Sequence, residues 1–341
     1  MSSVPVPRVQ VPRVQVPRVQ VPRVQVASVQ VIGAGAWGTA LALQALRAGA
    51  GVRLWARDPA KVAAMARSRE NPHLPGVALP DGLVVESAWA PADIVLLAMP
   101  MQALRGLAPN LPDGLLVACC KGVEAGSHLL PLEVLAAIHR GRAACVLTGP
   151  NFAGEVARGL PAAAVVAGAA RETVIAALST PDFRLYGNDD AIGAQVGAAA
   201  KNVVAIAAGA VIGAGLGENA RAALVTRGLA ELARLALALG GRAETVSGLS
   251  GLGDLLLTCT GPSSRNFSFG LALGQGRAMA EILAGRDSVT EGVATAPALV
   301  ARARDVGVEL PIAAAVAAVV QGRLSVSEAI RLLLARPLRD E

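Results

Sequence analysis

The segment VQVIGAGAWGTALALQAL constrains this chain more than any other. It sets Gly33, Gly35 and Gly38 at G-x-G-x-x-G spacing between a short β-branched run and an alanine- and leucine-rich stretch. A strand, a tight turn and a helix are predicted in immediate succession. In that setting each glycine has its own duty: Gly33 permits the turn, Gly35 lets a pyrophosphate approach the backbone, and Gly38 allows the helix to pack close to the strand. The helix N-terminus then offers N–H groups and the positive end of the helix dipole to the phosphates. The opening unit is therefore expected to bind a dinucleotide.

From Val29 onward, short β-branched runs alternate with helix-like stretches, as in a parallel sheet covered by helices. Strands are predicted at 29–32, 52–55, 83–85, 94–98, 115–118, 144–147 and 163–166. Beyond about Asn188 strand signals cease and helical segments follow, including 192–214 and 219–239. The fold class expected is α/β, with an N-terminal Rossmann-type doubly wound sheet followed by an all-helical C-terminal domain. The length of 341 residues suits two domains, and 53% hydrophobic residues supply ample core. The boundaries read as a disordered VPRVQ-repeat tail at 1–27, a dinucleotide-binding domain at 28–188 and a helical substrate-binding domain at 189–341.

Four copies of VPRVQ fill residues 6–25. A proline every fifth residue removes a backbone donor each time and forbids a continuous helix. The tail also explains the net charge of +6: its four arginines set aside, 27 basic residues stand against 25 acidic ones. With eight aromatic residues and no basic run, nucleic acid is a poor partner. Cys119, Cys120, Cys145 and Cys259 form no CxxC pair, so neither a disulfide framework nor a cysteine zinc site is indicated. A reducing cytoplasm and no export are expected. A mean hydropathy of +0.51 raises the question of a membrane span. The most apolar run, 203–217, is short of the roughly 20 residues a crossing needs and reads as a buried helix.

Several residues are candidates for chemistry. At the end of the second predicted strand, VRLWARDPA, Asp58 is a candidate ribose acceptor but also a natural helix cap before Pro59. The capping reading leaves Arg57 facing a 2′-phosphate. Only Lys61, Lys121 and Lys201 among the 31 basic residues are lysine. Arg cannot replace Lys where an ammonium must shift its pKa or release a proton. Lys61 reads as a solvated surface residue. Lys121 follows a strand at the ligand-binding edge of the sheet. Lys201, in the apolar GAAAKNVVAIAAG, is either a helix-end lysine snorkelling to solvent or a partly desolvated amine able to exchange a proton. Asp254 follows what reads as a flexible glycine turn, as a cap or as a site residue. Ser264, Arg265 and Asn266 form a donor-rich cluster suited to phosphate. The three histidines show no ligand spacing, and no metal is expected.

Taken in order, GAGAWGTALA, LWARDP, NPHLPG, CCKGVE, LTGPNFAGEVARGLPAA, GAAAKNVVAIAAG, ENARAALVTRGLAE, GLSGLGDLLLTCTGPSSRNFSFG and VTEGVATA resemble the bacterial-type NAD(P)-dependent glycerol-3-phosphate dehydrogenases. The resemblance runs from Val29 to about Leu338. It departs at the repeat tail and at Asn151, where that string usually carries Thr or Ser. It implies reversible reduction of dihydroxyacetone phosphate to sn-glycerol 3-phosphate by NADPH or NADH, supplying glycerophospholipid synthesis. Lys201 is implied as the catalytic proton donor or acceptor. Lys121, Gly149, Asn151, Asp254, Ser264, Arg265 and Asn266 are implied around the substrate. Gly33, Gly35, Ala36, Trp37, Gly38, Arg57, Lys121, Ala153, Arg265, Val289 and Glu291 are implied around the cofactor. The partner expected is a small phosphorylated substrate, without nucleic acid or stable membrane insertion, and the candidate assembly is a homodimer. Two other classes compete: a two-domain dehydrogenase acting on a hydroxy acid or acyl thioester, and a nucleotide-binding regulator without turnover.

The tail reading gives the first prediction. A chain beginning at Ser28 is expected to keep the unfolding midpoint and specific activity of the full chain. A midpoint lowered by several degrees would mean that the repeat docks onto the body.

Overall fold

The computed structural model describes residues 28–285 and 290–337. The VPRVQ repeat and Val289 lie outside the described residues. Eight strands form one sheet: β1 (Ser28–Ile32), β2 (Gly51–Trp55), β3 (Leu83–Glu86), β4 (Ile94–Leu97), β5 (Leu115–Ala118), β6 (Ala144–Thr148), β7 (Ala162–Gly168) and β8 (Phe183–Asn188). Their spatial order is β3-β2-β1-β4-β5-β6-β7-β8. Six helices accompany it: α1 (Ala36–Arg47), α2 (Pro59–Ser68), α3 (Leu104–Leu107), α4 (Pro131–Ile138), α5 (Ala153–Ala157) and α6 (Arg171–Leu178).

β1 pairs in parallel with both β2 and β4, in register Val29↔Val52 and Val29↔Ile94. The chain runs one way from β1 to β3 and then returns to the other side of β1. The β1/β4 junction is thus the topological switch point, where ligands of doubly wound sheets bind. All four residues of β4, Ile-Val-Leu-Leu, are buried, as a strand covered on both faces requires.

Two features differ from expectation. β7 runs antiparallel to β6, with Val146 opposite Ala167. The five-residue α5 is too short to carry the chain back along the sheet, at about 1.5 Å per helical residue. The return from β6 therefore runs backwards. β8 adds an eighth strand, which pairs in parallel with β7. Its first four residues, Phe183 to Tyr186, alternate buried and exposed, a period-two signal that is short enough to escape a reading by run length.

After Asn188 the chain is helical: α7 (Ala191–Gly213), α8 (Gly217–Ala238), α9 (Ala243–Val246), α10 (Asp254–Cys259), α11 (Arg265–Gly274), α12 (Met279–Ala284), α13 (Glu291–Asp305), α14 (Pro311–Val320) and α15 (Val326–Leu334). By length and composition α7 is apolar enough to cross a membrane, yet 83% of its most apolar window is buried by the rest of the chain. Its closest neighbour is α11. A Cβ at Gly209 would sit 2.0 Å from the Phe267 carbonyl oxygen, and one at Gly270 would sit 1.9 Å from that of Ile206. The two helix backbones touch, which side chains larger than hydrogen would prevent.

Leu249–Gly253 forms a π-helical turn, not the flexible glycine turn expected from sequence. Its glycines serve close packing: a Cβ at Gly251 would lie 1.9 Å from the Val246 carbonyl oxygen, and one at Gly197 of α7 would lie 2.8 Å from that of Ser250. The turn is wedged against α7 and delivers Asp254 at a fixed height.

Glu231 of α8 is buried and accepts hydrogen bonds from Ile312 N at 2.7 Å and Ala313 N at 3.3 Å, capping α14 from a neighbouring helix. Burial pushes its carboxyl up to about 7, against those two bonds. A folded pKa above the unfolded one means that the native state binds more protons between about 4.5 and 7, so stability falls as pH rises through that window. Glu231→Gln keeps an acceptor and does not titrate. It is expected to gain stability relative to the parent between pH 5 and pH 8, on the order of 1 to 3 kcal/mol. Parallel pH dependence of denaturant unfolding in both proteins would contradict this.

Candidate active site

Lys121 lies three residues beyond β5, at the carboxyl edge of the sheet, while Lys201 lies mid-way along α7 and Asp254 opens α10. These three distant stretches converge. The Lys121 ammonium donates to Asp254 Oδ2 at 2.5 Å and to the Gly149 carbonyl at 3.2 Å. The Lys201 ammonium donates to Asp254 Oδ1 and to Thr258 Oγ1, the latter at 3.0 Å. Thr258 Oγ1 in turn donates to the Asp254 main-chain oxygen at 2.6 Å. Asp254 has no exposed surface and Lys201 is 7% exposed, so Lys201 does not snorkel to solvent from a helix end.

One carboxylate between two ammoniums leaves an excess positive charge. Burial lowers the Lys201 pKa to about 8, and the neighbouring Lys121 pushes the same way while Asp254 opposes both. Glu291, at the start of α13, is raised by burial against the pull of Arg265, Lys121 and Lys201, which places those charges within electrostatic reach of it. Arg265 is exposed at the start of α11.

The other residues of the expected phosphate cluster are more occupied than their sequence implies. Ser264 caps α11, its side chain accepting from Phe267 N at 3.2 Å. The Asn266 amide donates to Asn202 Oδ1 at 2.9 Å and accepts from Gly292 N at 3.0 Å, tying α7, α11 and α13 together. On the sheet side, the Asn151 amide donates to the Ala163 carbonyl at 3.1 Å, and its buried Oδ1 has no hydrogen-bond partner among the described residues. Ala153 begins α5 just beyond.

The glycine turn has the shape a pyrophosphate needs. Gly33 has φ +115°, and a Cβ there would be 2.7 Å from the Ala98 carbonyl oxygen. A Cβ at Gly38 would strike the Gly33 carbonyl at 1.8 Å, whereas at Gly35 it would meet nothing within 4 Å. The cradle is therefore closed towards the protein and open at Gly35. Ala36 and Trp37 open α1 beside it, and the buried Trp37 Nε1 has no partner among the described residues. These features fit a bound dinucleotide. Asp58 caps α2 by accepting from Ala60 N at 2.9 Å, and Arg57 beside it is exposed at the end of β2.

Three contributors escape the sequence reading. Thr258 stands four residues after Asp254 and so shares its helix face, the one local signal available for it. Asn202 is distinguished only by its partner Asn266. Asn71 of NPHLPG braces the glycine turn, donating to the Ala34 carbonyl at 3.0 Å and to Thr39 Oγ1 at 2.6 Å.

A phosphate cradle at a sheet switch point, with a lysine–aspartate–lysine cluster that joins the carboxyl edge of the sheet to a helical domain, defines a nicotinamide-nucleotide dehydrogenase. Residues 28–174 match the family described as NAD-dependent glycerol-3-phosphate dehydrogenase N-terminus, and residues 190–331 match its C-terminus. The chain is 56% identical to glycerol-3-phosphate dehydrogenase (NAD(P)+) of Acidiphilium cryptum over 315 residues, covering 91% of this chain and 97% of the relative. It is 52% identical to the enzyme of the same name from Gluconobacter oxydans, covering 90% and 96%. The crystal structure of glycerol-3-phosphate dehydrogenase from Coxiella burnetii superposes with a TM-score of 0.87 at 36% identity, covering 91% of this chain and 99% of that one. The chain belongs to the NAD-dependent glycerol-3-phosphate dehydrogenase family.

Arg57 gives the prediction for this site. With Asp58 engaged as a cap, Arg57 is the exposed charge that follows β2, and NADPH is expected to be preferred over NADH. Arg57→Asp is expected to narrow or reverse the preference, read as kcat/KM for both cofactors at one salt concentration, since an exposed charge is screened. An unchanged ratio would remove Arg57 from cofactor choice.

Proposed function

We propose that this protein reversibly reduces dihydroxyacetone phosphate to sn-glycerol 3-phosphate with NADPH or NADH, supplying glycerophospholipid synthesis. The observation that carries this reading is the buried Asp254 carboxylate shared by Lys121 and Lys201 at the carboxyl edge of the sheet. Residues 28–188 hold the cofactor through Gly33, Gly35, Ala36, Trp37, Gly38, Arg57, Lys121 and Ala153, with Arg265 and Glu291 reaching it from residues 189–341. When bound, the nicotinamide supplies or accepts the hydride.

As the substrate carbonyl is reduced, negative charge develops on its oxygen. The Lys201 ammonium stabilises that charge and delivers the proton, and in the reverse direction the neutral amine takes it back. Asp254 and Thr258 aim the amine. Lys121 supplies the second positive charge, which the single carboxylate does not cancel. Arg265, at the N-terminus of α11, suits the phosphate by its planar fork and by the helix dipole behind it. Gly149, Asn151, Ser264 and Asn266 complete the substrate side, where Asn151 Oδ1, without a partner among the described residues, is suited to a hydroxyl. The same reading takes the protein as a cytoplasmic homodimer, in keeping with four buried, unpaired cysteines.

The test follows NADPH absorbance with dihydroxyacetone phosphate. Turnover with it, and far less with unphosphorylated dihydroxyacetone, is expected. Lys201→Ala is expected to keep fold and cofactor affinity but lose about 10²- to 10⁴-fold in turnover. Reduction needs the charged amine, so its kcat/KM falls as pH rises through about 8, while oxidation of sn-glycerol 3-phosphate rises through the same point. Near-normal turnover in Lys201→Ala, or an unchanged pH profile, would take Lys201 out of the mechanism.

A further inference from the structure

The loop that carries Lys121 is gripped from an unexpected side. Between β4 and α3 the chain makes a short helical turn, Met101–Ala103. From it the Gln102 amide donates to the Val123 carbonyl at 2.9 Å and accepts from Ala125 N at 2.9 Å. Both halves of one side-chain amide are thus spent on the backbone two and four residues beyond Lys121. The loop also lies directly on this turn, because a Cβ at Gly122 would be 3.2 Å from that of Met101. One turn further on, Arg105 holds Glu124 through contacts of 2.7 to 3.0 Å. That ion pair faces solvent on its arginine side and is an ordinary anchor.

Gln102 differs from Arg105 in what else it touches. With Pro100, Met101 and Ala103 it forms one wall of a cavity of about 280 Å³, whose opposite wall is Glu291, Ala294 and Thr295 of α13. Glu291 is one of the residues read as meeting the cofactor. The wall that faces this cleft is therefore the wall that holds the Lys121 loop.

We propose that Gln102 is a positioning residue for the reaction: by bridging Val123 and Ala125 it sets the Lys121 ammonium against Asp254 and Gly149, and it does so from the cofactor side of the site. The kinetic side of this inference rests on the reduction proposed above. On that reading Lys121 meets both ligands, but its ammonium is held by Asp254 and Gly149 on the substrate side, so loosening its loop should weaken the substrate more than the nucleotide or the fold.

The experiment compares the full chain with Gln102→Leu, which keeps the side-chain volume and loses both bonds, and with Gln102→Glu, which keeps the acceptor for Ala125 N but sets an oxygen against the Val123 carbonyl. Gln102→Leu is expected to raise KM for dihydroxyacetone phosphate about tenfold, the scale of losing two neutral hydrogen bonds, with kcat, NADPH affinity and Tm little changed. Gln102→Glu should fall between the two. In a Lys121→Met background the Leu substitution should add less than about twofold, because it acts through the missing ammonium. Amide exchange at Ala125 should quicken in Gln102→Leu. An unchanged KM, a lowered Tm with KM unmoved, or a full additive loss in the Lys121→Met background would each overturn the proposal. If the parent chain does not oxidise NADPH with this ketone, the functional reading falls instead, and Ala125 exchange still decides whether Gln102 holds the loop.

Discussion

The structure turns on one carboxylate. Asp254 is wholly buried, and its two oxygens are taken by ammoniums from the two halves of the chain: Lys121 from the sheet and Lys201 from the helices. Charges in such a place are tolerated only as partners. Removing Asp254 would leave two ammoniums facing each other without compensation, and breaking a buried pair from one side costs about 3 to 5 kcal/mol. The arrangement is therefore as much a joint as a candidate site, because the sheet edge and the helical core meet through these three charged groups.

The rest of the fold serves to hold that joint in place. Asp254 is delivered by a π-helical turn whose glycines lie against α7, and α7 is locked to α11 by direct backbone contact at Gly209 and Gly270. Lys201 and Asp254 thus stand on elements that cannot slide without steric overlap. Asn266 extends the lock to α13 through Asn202 and Gly292. That buried amide, which the sequence offers as a ligand donor, also ties the framework through one bond at each end.

How much of this was legible in the sequence follows from the range of each interaction. The glycine turn, the Asp58 cap and most strands depend on neighbours a few residues away, and each can be read from its own segment. β8 escaped because four alternating residues are a weak signal, and the reversed β7 because strand direction depends on whether the connecting helix is long enough. Thr258, Asn202 and Asn71 gain their roles only from partners brought close by folding, such as Lys201 across 57 positions. The bonds that Ser264 and Asn266 make within the chain escaped for the same reason. Side-chain type was visible in these residues, but prior engagement was not.

Lysine usage was the most informative compositional clue, and the structure gives it a physical basis. Lys61, the one lysine outside the cluster, is exposed on α2. The other two share Asp254 in a chain that otherwise relies on arginine. A guanidinium stays charged at any accessible pH, so it can hold a phosphate, the role proposed for Arg265, but cannot return a proton to a reacting oxygen. A buried amine whose pKa has been drawn down to about 8 is balanced near neutrality between holding and releasing that proton. Desolvation alone would push Lys201 further towards neutrality, and Asp254 alone would hold it charged. In the reaction proposed above, that opposition suits one side chain to both directions.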